Sequence, residues 1–369
     1  MHNNVRLLIG GFQIDTWDAV TIESSIDTPA DGWSFSLFDQ DGLQLPESVK
    51  GGAQVELYYG KELILRSVAD KVAEAVDRSG YGLQISGRDL AGQLIDCSVP
   101  IFNGRQMSLD ELLKSVAQDT QVNVQNNNWL KNKVSVEPGE SVLDAITKAA
   151  AVTGQAVWFD AEGVLNIGDP FANPYQVQTP LKLMRYANDN NVLSLKYDED
   201  VSNVYTHFKV LSQDSNAKNI LSETSVDTQY THKRLKILTL SDIETKAEAD
   251  AALKKIEKDN NLQAYSLVVQ REGWTIDDKV WRQGFYVDVQ TNRLIRATAK
   301  WMVTAYKLTL DRQNGLMSEI TLNRQGDWAQ PLVHKEPAKK AKPAKKSKTA
   351  TKKDTAKDQT EGKQNESNK

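Results

Sequence analysis

Over residues 5–89 apolar and polar side chains alternate with a period of two, and glycines or Asp-Gly pairs interrupt the alternation at short intervals. Trp33, Phe35 and Leu37 alternate with Ser34 and Ser36, Val55 and Leu57 flank Glu56, and Tyr81, Leu83 and Ile85 alternate with Gly82 and Gln84. A chain patterned this way is restricted to half-buried antiparallel strands, because only the period-two backbone sends successive side chains to opposite faces. The apolar run 5–15 is broken by Gly10-Gly11, a turn signal. Roughly six such runs before Gly87 predict a small barrel or sandwich. Strand-like runs return after Leu181, at 192–197, 204–210, 235–240, 264–270, 285–289, 294–298, 301–310 and 317–322. The polar stretch 212–232 reads as a long loop or exposed hairpin.

Between these regions the period changes. Ser108 and Glu111 have the spacing of a capping box, and Leu109, Leu112, Leu113 and Val116 recur at helical intervals. Ser141 heads a second helix, with Asp144 at its third position, an apolar face of Val142, Ala145, Ile146 and Ala149, and Gly154 as its stop. The two helix patterns superpose at an offset of 33 residues, Ser108 on Ser141 and Leu113 on Ile146, and each precedes a strand-like run. Residues 156–159 and 164–167 form a hairpin about Gly163. This is a small α/β insert of two similar helix-strand units, too few for a solenoid. Ser241 and Glu244 form a third box, opening a helix that reaches about Lys258 and stops at Asn260-Asn261.

The second strand region echoes the first. Gly52, Val55 and Leu57 match Gly284, Val287 and Val289 at an offset of 232, while Leu63-Ile64 matches Leu294-Ile295 and Val72 matches Val303 at 231. Antiparallel strands share period two by default, so chance likeness competes with duplication. The reading adopted is mainly β with an α/β insert. Two related antiparallel β-barrels (1–100 and 181–330, the latter carrying a helix at 241–260) flank the helix-strand domain 101–180, and a Lys-rich tail follows at 331–369.

The tail carries 12 lysines against 5 acids from Lys335 onward, so a chain of net charge −4 divides into an acidic body of −11 and a tail of +7. With no aromatic residue there and little to bury, its composition predicts disorder. One reading is a solvated, self-repelling tail; the functional one is a non-specific polyanion contact, without the aromatics a single-strand site needs.

No catalytic constellation emerges. The phosphate-loop, GxGxxG, HExxH and Gly-x-Ser-x-Gly patterns are absent. The four histidines and the single cysteine lack zinc spacing and form no disulfide framework. Asp39/Asp41, Asp198-Glu199-Asp200 and Asp277-Asp278 read as solvated turn carboxylates rather than a glycosidase pair or a calcium loop. Cys97 reads as a small core thiol. Trp274 and Trp281 flank the turn at Asp277-Asp278 and read as rings covering a barrel end rather than a sugar platform. No apolar run approaches the ~18 residues of a membrane span, and the first residues lack a signal-peptide core. The chain is therefore expected to be made in a cytoplasm, to stay soluble, and to use no cofactor or metal.

The order of elements resembles the Mu-like phage baseplate hub proteins. The resemblance lies in Ile9-Gly10-Gly11-Phe12 leading to Trp17, in residues 20–26 followed by Trp33-Ser34-Phe35-Ser36-Leu37, and in Gly87-Arg88-Asp89 followed by Asp96-Cys97-Ser98. It continues in the helix after Glu244 and in Gly273-Trp274 with Trp281-Arg282-Gln283-Gly284, and so covers about residues 5–328. It implies a non-enzymatic virion structural protein of a contractile tail or tail-derived machine, made in the host cytoplasm and located in the tail baseplate. Such hubs are homotrimers in which two similar barrels per chain make a pseudo-six-fold ring joining the hexameric tail tube to the trimeric central spike. The implied partners are the spike, the tail tube and other baseplate proteins. Gly87, Arg88, Asp89, Asp96, Cys97, Ser98, Trp274, Trp281 and Gly284 are then structural positions. The competing functions are a cell-wall hydrolase and a peptidoglycan-binding module using Trp129 and Trp158.

Overall fold

The computed structural model describes residues 4–324, except 29, 40–43, 101–105, 118–119, 126–132, 138, 153, 213–221, 226–232 and 241–245. The Lys-rich tail, Trp129 and the Ser241/Glu244 box lie outside the described residues. The first region supplies β1 (Val5–Ile9), β2 (Phe12–Ile14), β3 (Ala19–Ser25), β4 (Gly32–Asp39), β5 (Gln54–Tyr59), β6 (Glu62–Asp77) and β7 (Gly80–Asp89). Then come α1 (Ala91–Asp96), β8 (Gln106–Ser108), α2 (Leu109–Val116), β9 (Val122–Val124), β10 (Lys133–Ser135), α3 (Val142–Val152), β11 (Ala156–Phe159) and β12 (Leu165–Gly168). The last stretch holds β13 (Leu181–Leu183), β14 (Ser194–Glu199), β15 (His207–Ser212), β16 (Ser222–Ser225), β17 (Leu235–Leu240) and α4 (Lys246–Ala264). It ends with β18 (Tyr265–Glu272), β19 (Thr275–Ile276), β20 (Lys279–Val280), β21 (Tyr286–Thr291), β22 (Ala299–Asp311) and β23 (Gly315–Asn323).

The two strand regions do not close into barrels. They form one open sheet of 13 strands running β14-β18-β23-β22-β3-β4-β7-β6-β5-β1-β2, with β21 and β13 continuing from β22. The expectation of two β-barrels is thereby overturned, and the physical reason is where the edges go. A barrel needs the first and last strands of one region to pair with each other. Here β3 spends its free side on β22 of the other region, with Ile22 opposite Leu308 and Val20 opposite Leu310. Period two fixes which face a residue takes and leaves open which edges meet.

Alternation is borne out strand by strand: β7 reads buried at Tyr81, Leu83, Ile85 and Gly87, with Gly82, Gln84 and Ser86 turned away. One core runs along the sheet and contains Leu7, Leu57, Phe35, Leu267, Val269, Trp274, Trp281 and Trp301. The echo between the regions survives as topology more than as sequence register. Val55 and Leu57 lie opposite Ser67 and Leu65, as Val287 and Val289 lie opposite Trp301 and Ala299. Ile64 is buried in a strand, however, whereas Ile295 sits exposed in a 3-10 turn, Ile295–Ala297.

The helices build a second core, in which Leu109, Leu112, Ala145, Ile146 and Ala149 meet Leu165 and Ile167. The α2 capping box forms, with Ser108 and Glu111 exchanging backbone hydrogen bonds. Ser141 Oγ accepts from the Asp144 N–H at 3.0 Å. Gly154, two positions past the end of α3, lies in the left-handed region at φ 73°. The two helix-strand units place β9 and β11 on opposite sides of β12, one parallel and one antiparallel. β15 and α4 also stand apart from the large sheet: Phe208, Val210, Ala249, Ala252 and Leu253 pack in this second core. The polar stretch 212–232 contains a strand, β16, paired with β15. α4 continues through Asn260-Asn261 to Ala264, four backbone positions beyond its sequence stop at Asn260.

Candidate functional site

Six of the singled-out residues meet where β7 leaves the sheet. Gly87 is packed so closely that a Cβ would lie 2.3 Å from the Val68 carbonyl oxygen and 2.7 Å from the Trp33 ring. Trp33 Nε1 in turn donates to Ser67 Oγ at 2.7 Å. One residue on, Arg88 turns its fork outward onto two carboxylates. Its Nε and Nη2 donate to Asp70 at 2.8 and 3.1 Å, and its Nη1 and Nη2 donate to Asp96 at 3.1 and 2.7 Å. Hydrogen bonds from Arg88 hold the Asp96 carboxyl below its usual range. A planar guanidinium suits such a double clamp better than a lysine ammonium. The clamp ties the bulge of β6 to the end of α1.

Asp89 is buried, and its Oδ1 accepts from the Ala91 N–H at 3.0 Å, holding the first turn of α1. Its own N–H donates to the Asp31 carbonyl oxygen at 2.9 Å. Burial pushes the Asp89 carboxyl up to about 6. Burial and the neighbouring Asp89 charge push Asp31 up to about 7, although Ser24 and Ser25 donate to it. Asp31 lines a cavity of about 110 Å³ together with Trp158, Asp160, Arg282, Gln283 and Tyr306. Cys97 is exposed, so the expectation of a core thiol fails. Its position after the last turn of α1 explains this: its backbone oxygen accepts from the Val142 N–H at 2.8 Å while the side chain faces outward. Ser98 bridges Ser141, the residue that heads α3.

Trp274, Trp281 and Gly284 make a separate group. Both indoles are fully buried at the ends of the β19–β20 hairpin, whose tip places Asp277 and Asp278 at positive φ. Trp274 Nε1 donates to Thr309 O at 2.9 Å and its ring lies 5.5 Å from that of Tyr59. Arg271 lies over Trp281 at 5.7 Å. Gly284, at φ 79°, donates its N–H to Val303 O at 2.9 Å. Rings sealed in this way offer no face to a sugar.

Sequence reasoning missed the partners: Asp70 and Asp31 beside Arg88 and Asp89, and Glu62, whose carboxylate accepts from the Val280 N–H at 2.9 Å and pairs with Arg282 at 3.3 Å. No local spacing marks contacts across 200 residues. Among the described residues no three His, Cys, Asp or Glu side chains are grouped to hold a metal, and no helix is long and apolar enough to cross a membrane.

Residues 4–89 match the family model for the N-terminal part of the Mu phage baseplate assembly protein GpP-like group. Residues 91–169 match the model for the second domain of baseplate hub protein gp44-like proteins. The baseplate hub protein gp44 of Escherichia phage Mu is 22% identical over 361 residues, covering 92% of this chain and 93% of its own length. The crystal structure of a tail protein from Neisseria meningitidis MC58 aligns at 24% identity with a TM-score of 0.72, over 88% of this chain and 97% of that one. The 43 kDa tail protein of prophage MuSo2 from Shewanella oneidensis aligns at 17% identity with a TM-score of 0.73, over 88% and 99%. The chain is homologous to the Mu-phage baseplate hub protein family and shares the fold of these two tail proteins.

Proposed function

We propose that this chain is the structural hub of a phage-type tail baseplate. In this reading three copies form a ring of pseudo-six-fold symmetry in the virion tail, with the tail tube docking on one side and the central spike on the other. The observation that carries it is the repeated strand path: β3-β4-β7-β6-β5 in the first region and β14-β18-β23-β22-β21 in the second, laid edge to edge within one sheet. A chain that offers two similar units side by side, used three times, presents six similar docking surfaces. The buried tryptophans and the Arg88 clamp then serve rigidity, and Gly87, Asp89, Asp96, Cys97 and Ser98 serve the exit from the sheet. Light scattering on the purified full-length chain tests this. The expected mass is three times that of the 41.2 kDa chain. A single-chain mass that persists in the presence of the spike protein overturns the ring.

A further inference from the structure

Matching the two strand regions by backbone geometry leaves two strand edges without a partner among the described residues. The match is set by backbone hydrogen bonds and ladder slips, with one short motif at the hairpin tips. Gly52 donates its N–H to Ala69 O at 2.7 Å as Gly284 does to Val303 O at 2.9 Å. The ladder slips by one residue between Ala69 and Lys71, and again between Val303 and Ala305. Asp18 donates its N–H to Ser36 O at 2.9 Å as Leu193 does to Gln270 O at 2.8 Å, each just ahead of its strand. The hairpin tips repeat Asp-Arg: Asp77 Oδ1 accepts from the Ser79 N–H and Asp311 Oδ1 from the Gln313 N–H, both at 2.7 Å. Together these place β6 on β22, β7 on β23, β4 on β18 and β3 on β14.

The equivalent strands differ in their neighbours. Residues 305–310 of β22 lie between β23 and β3. Among the described residues their counterparts, residues 71–76 of β6, pair only with β7, and β14, the counterpart of β3, pairs only with β18. Val76 takes the place of Leu310 and is 80% exposed where Leu310 is 6% exposed. We propose that β14 of a second copy of this chain pairs antiparallel with the far half of β6, reproducing between chains the β22–β3 junction made within each chain. The inference rests on the ring reading above and names its interface.

Carrying the β22–β3 register across sets Lys71 opposite Asp200, Ala73 opposite Asp198 and Ala75 opposite Lys196 on one face. On the other face it sets Val72 opposite Glu199, Glu74 opposite Tyr197 and Val76 opposite Leu195. The backbone groups are ready for it. Asp200 donates its N–H to Ala264 O at 3.0 Å, so alternation turns the backbone of Leu195, Tyr197 and Glu199 to the free side. The two-residue hairpin closed by Asp77 and Gly80 does the same for Val72, Glu74 and Val76. On the first face charge agrees: Lys71 falls opposite Asp200 and diagonal to Asp198, a cation among acids where the chain's own junction pairs Lys307 with Glu23 at 2.5 Å. Uncovered edges of this length are liabilities in a soluble protein unless a partner fills them. Two different edges that fit each other make a head-to-tail contact, the kind that closes into rings.

The test is oxidative cross-linking of the full-length chain in a Cys97→Ser background, with light scattering on the same samples. Ala75→Cys with Lys196→Cys is a directly opposed pair that is not hydrogen-bonded, the closer kind. It is expected to give covalent oligomers, while each single variant gives none. Ala75→Cys with Asp200→Cys is out of register by about 13 Å and is expected to stay unlinked. Val76→Pro removes an N–H that faces the free edge from a residue whose side chain is itself exposed, and is expected to weaken association about tenfold or more without moving the melting midpoint. A chain that assembles to three times its mass with no in-register cross-link, or with equal out-of-register cross-linking, overturns the edge assignment and leaves the ring standing. So does a Val76→Pro chain that folds and associates like the parent. A chain that stays monomeric at high micromolar concentration removes both.

Discussion

The two sheet regions follow one path with different amounts of chain. In the first, β3 passes to β4 through residues 26–31; in the second, the equivalent β14 passes to β18 through residues 200–264. That excursion carries β15 and α4 into the second core, with β16 and β17 paired on either side of β15, and returns to the same place in the sheet. The ladder fixes where a connection must begin and end and leaves its length nearly free, since loop-closure entropy grows slowly with length. The packing beneath also differs. Trp33 lies opposite Gly87 in the first region, and Leu267 opposite Leu322 in the second. One large and one absent side chain fill the space that two medium ones fill in the other copy.

The largest expected effect breaks that large-small pairing. Gly87→Ala puts a Cβ against the Val68 carbonyl oxygen, a backbone atom that no rotamer change can move. A loss of about 3 kcal/mol or more is expected in chemical denaturation. Adding Trp33→Leu should give little rescue, because the carbonyl stays. Gly82→Ala, whose Cβ would lie 3.9 Å from the nearest atom, Ala75 O, should be close to neutral. A stable Gly87→Ala chain would show that β6 yields at this point.

A second contrast is electrostatic. Asp89 ends the first meander, and Arg324, stacked 5.5 Å from the Tyr265 ring, ends the second. The Asp31–Asp89 pair titrates at about 7 and about 6, above the unfolded value near 4. The folded chain therefore holds protons that the unfolded chain releases. This contribution is fully present below about pH 4 and is lost as pH rises through 6 to 7. Asp31→Asn should flatten that fall and gain stability at pH 8 on the order of 2 kcal/mol, discounted for partial exposure. A urea midpoint that keeps the same pH slope in Asp31→Asn places the titration elsewhere.

Much of this was legible in the sequence and some could not have been. Alternation located the strands of both regions, and Ser108 with Glu111 located α2, because these signals are local. The 232-residue offset between Val55 and Val287 is also real in the ladder. It fails at Val72, which matches Tyr306 rather than Val303, because the β21–β22 connection is longer than the β5–β6 turn and Asp70 answers to Thr304. The sheet path could not be read, since no side chain of β3 announces β22. Nor could Asp70 be foreseen beside Arg88: that carboxylate stands where the ladder slips, and the slip leaves no mark in composition.

Arg88→Ala should have a smaller effect, a melting midpoint lower by about 2–4 °C, because both ion pairs are partly exposed and screened. Arg88→Lys should recover only part of this, since an ammonium cannot grip two carboxylates bidentately. The second region has Asn323 at the equivalent place, bonded instead to Thr304 and to the Tyr265 carbonyl. An Arg88→Ala chain with unchanged melting and unchanged assembly removes the clamp from the account.

The smallest expected effect on the fold comes from the segment with no counterpart in either region. Deleting residues 335–369 should leave melting and assembly unmoved, because those residues hold no aromatic side chain and almost nothing to bury. What should change is charge: the deletion removes +7 from a chain whose remainder carries −11. If the lysines meet phosphate, whether of nucleic acid or of lipid headgroups, each contact releases condensed counterion, and affinity should fall steeply between low and moderate salt with no preference for sequence. If they meet the acidic body of their own assembly, little counterion is released, and the dependence should be shallower, set by a screening length of about 8 Å at physiological salt. Titrating duplex DNA against full-length and truncated chains at several salt concentrations separates the two. Binding that is the same with and without the segment, or that ignores salt, eliminates the phosphate contact. A truncated chain that no longer folds shows that the segment buries more than its composition allows.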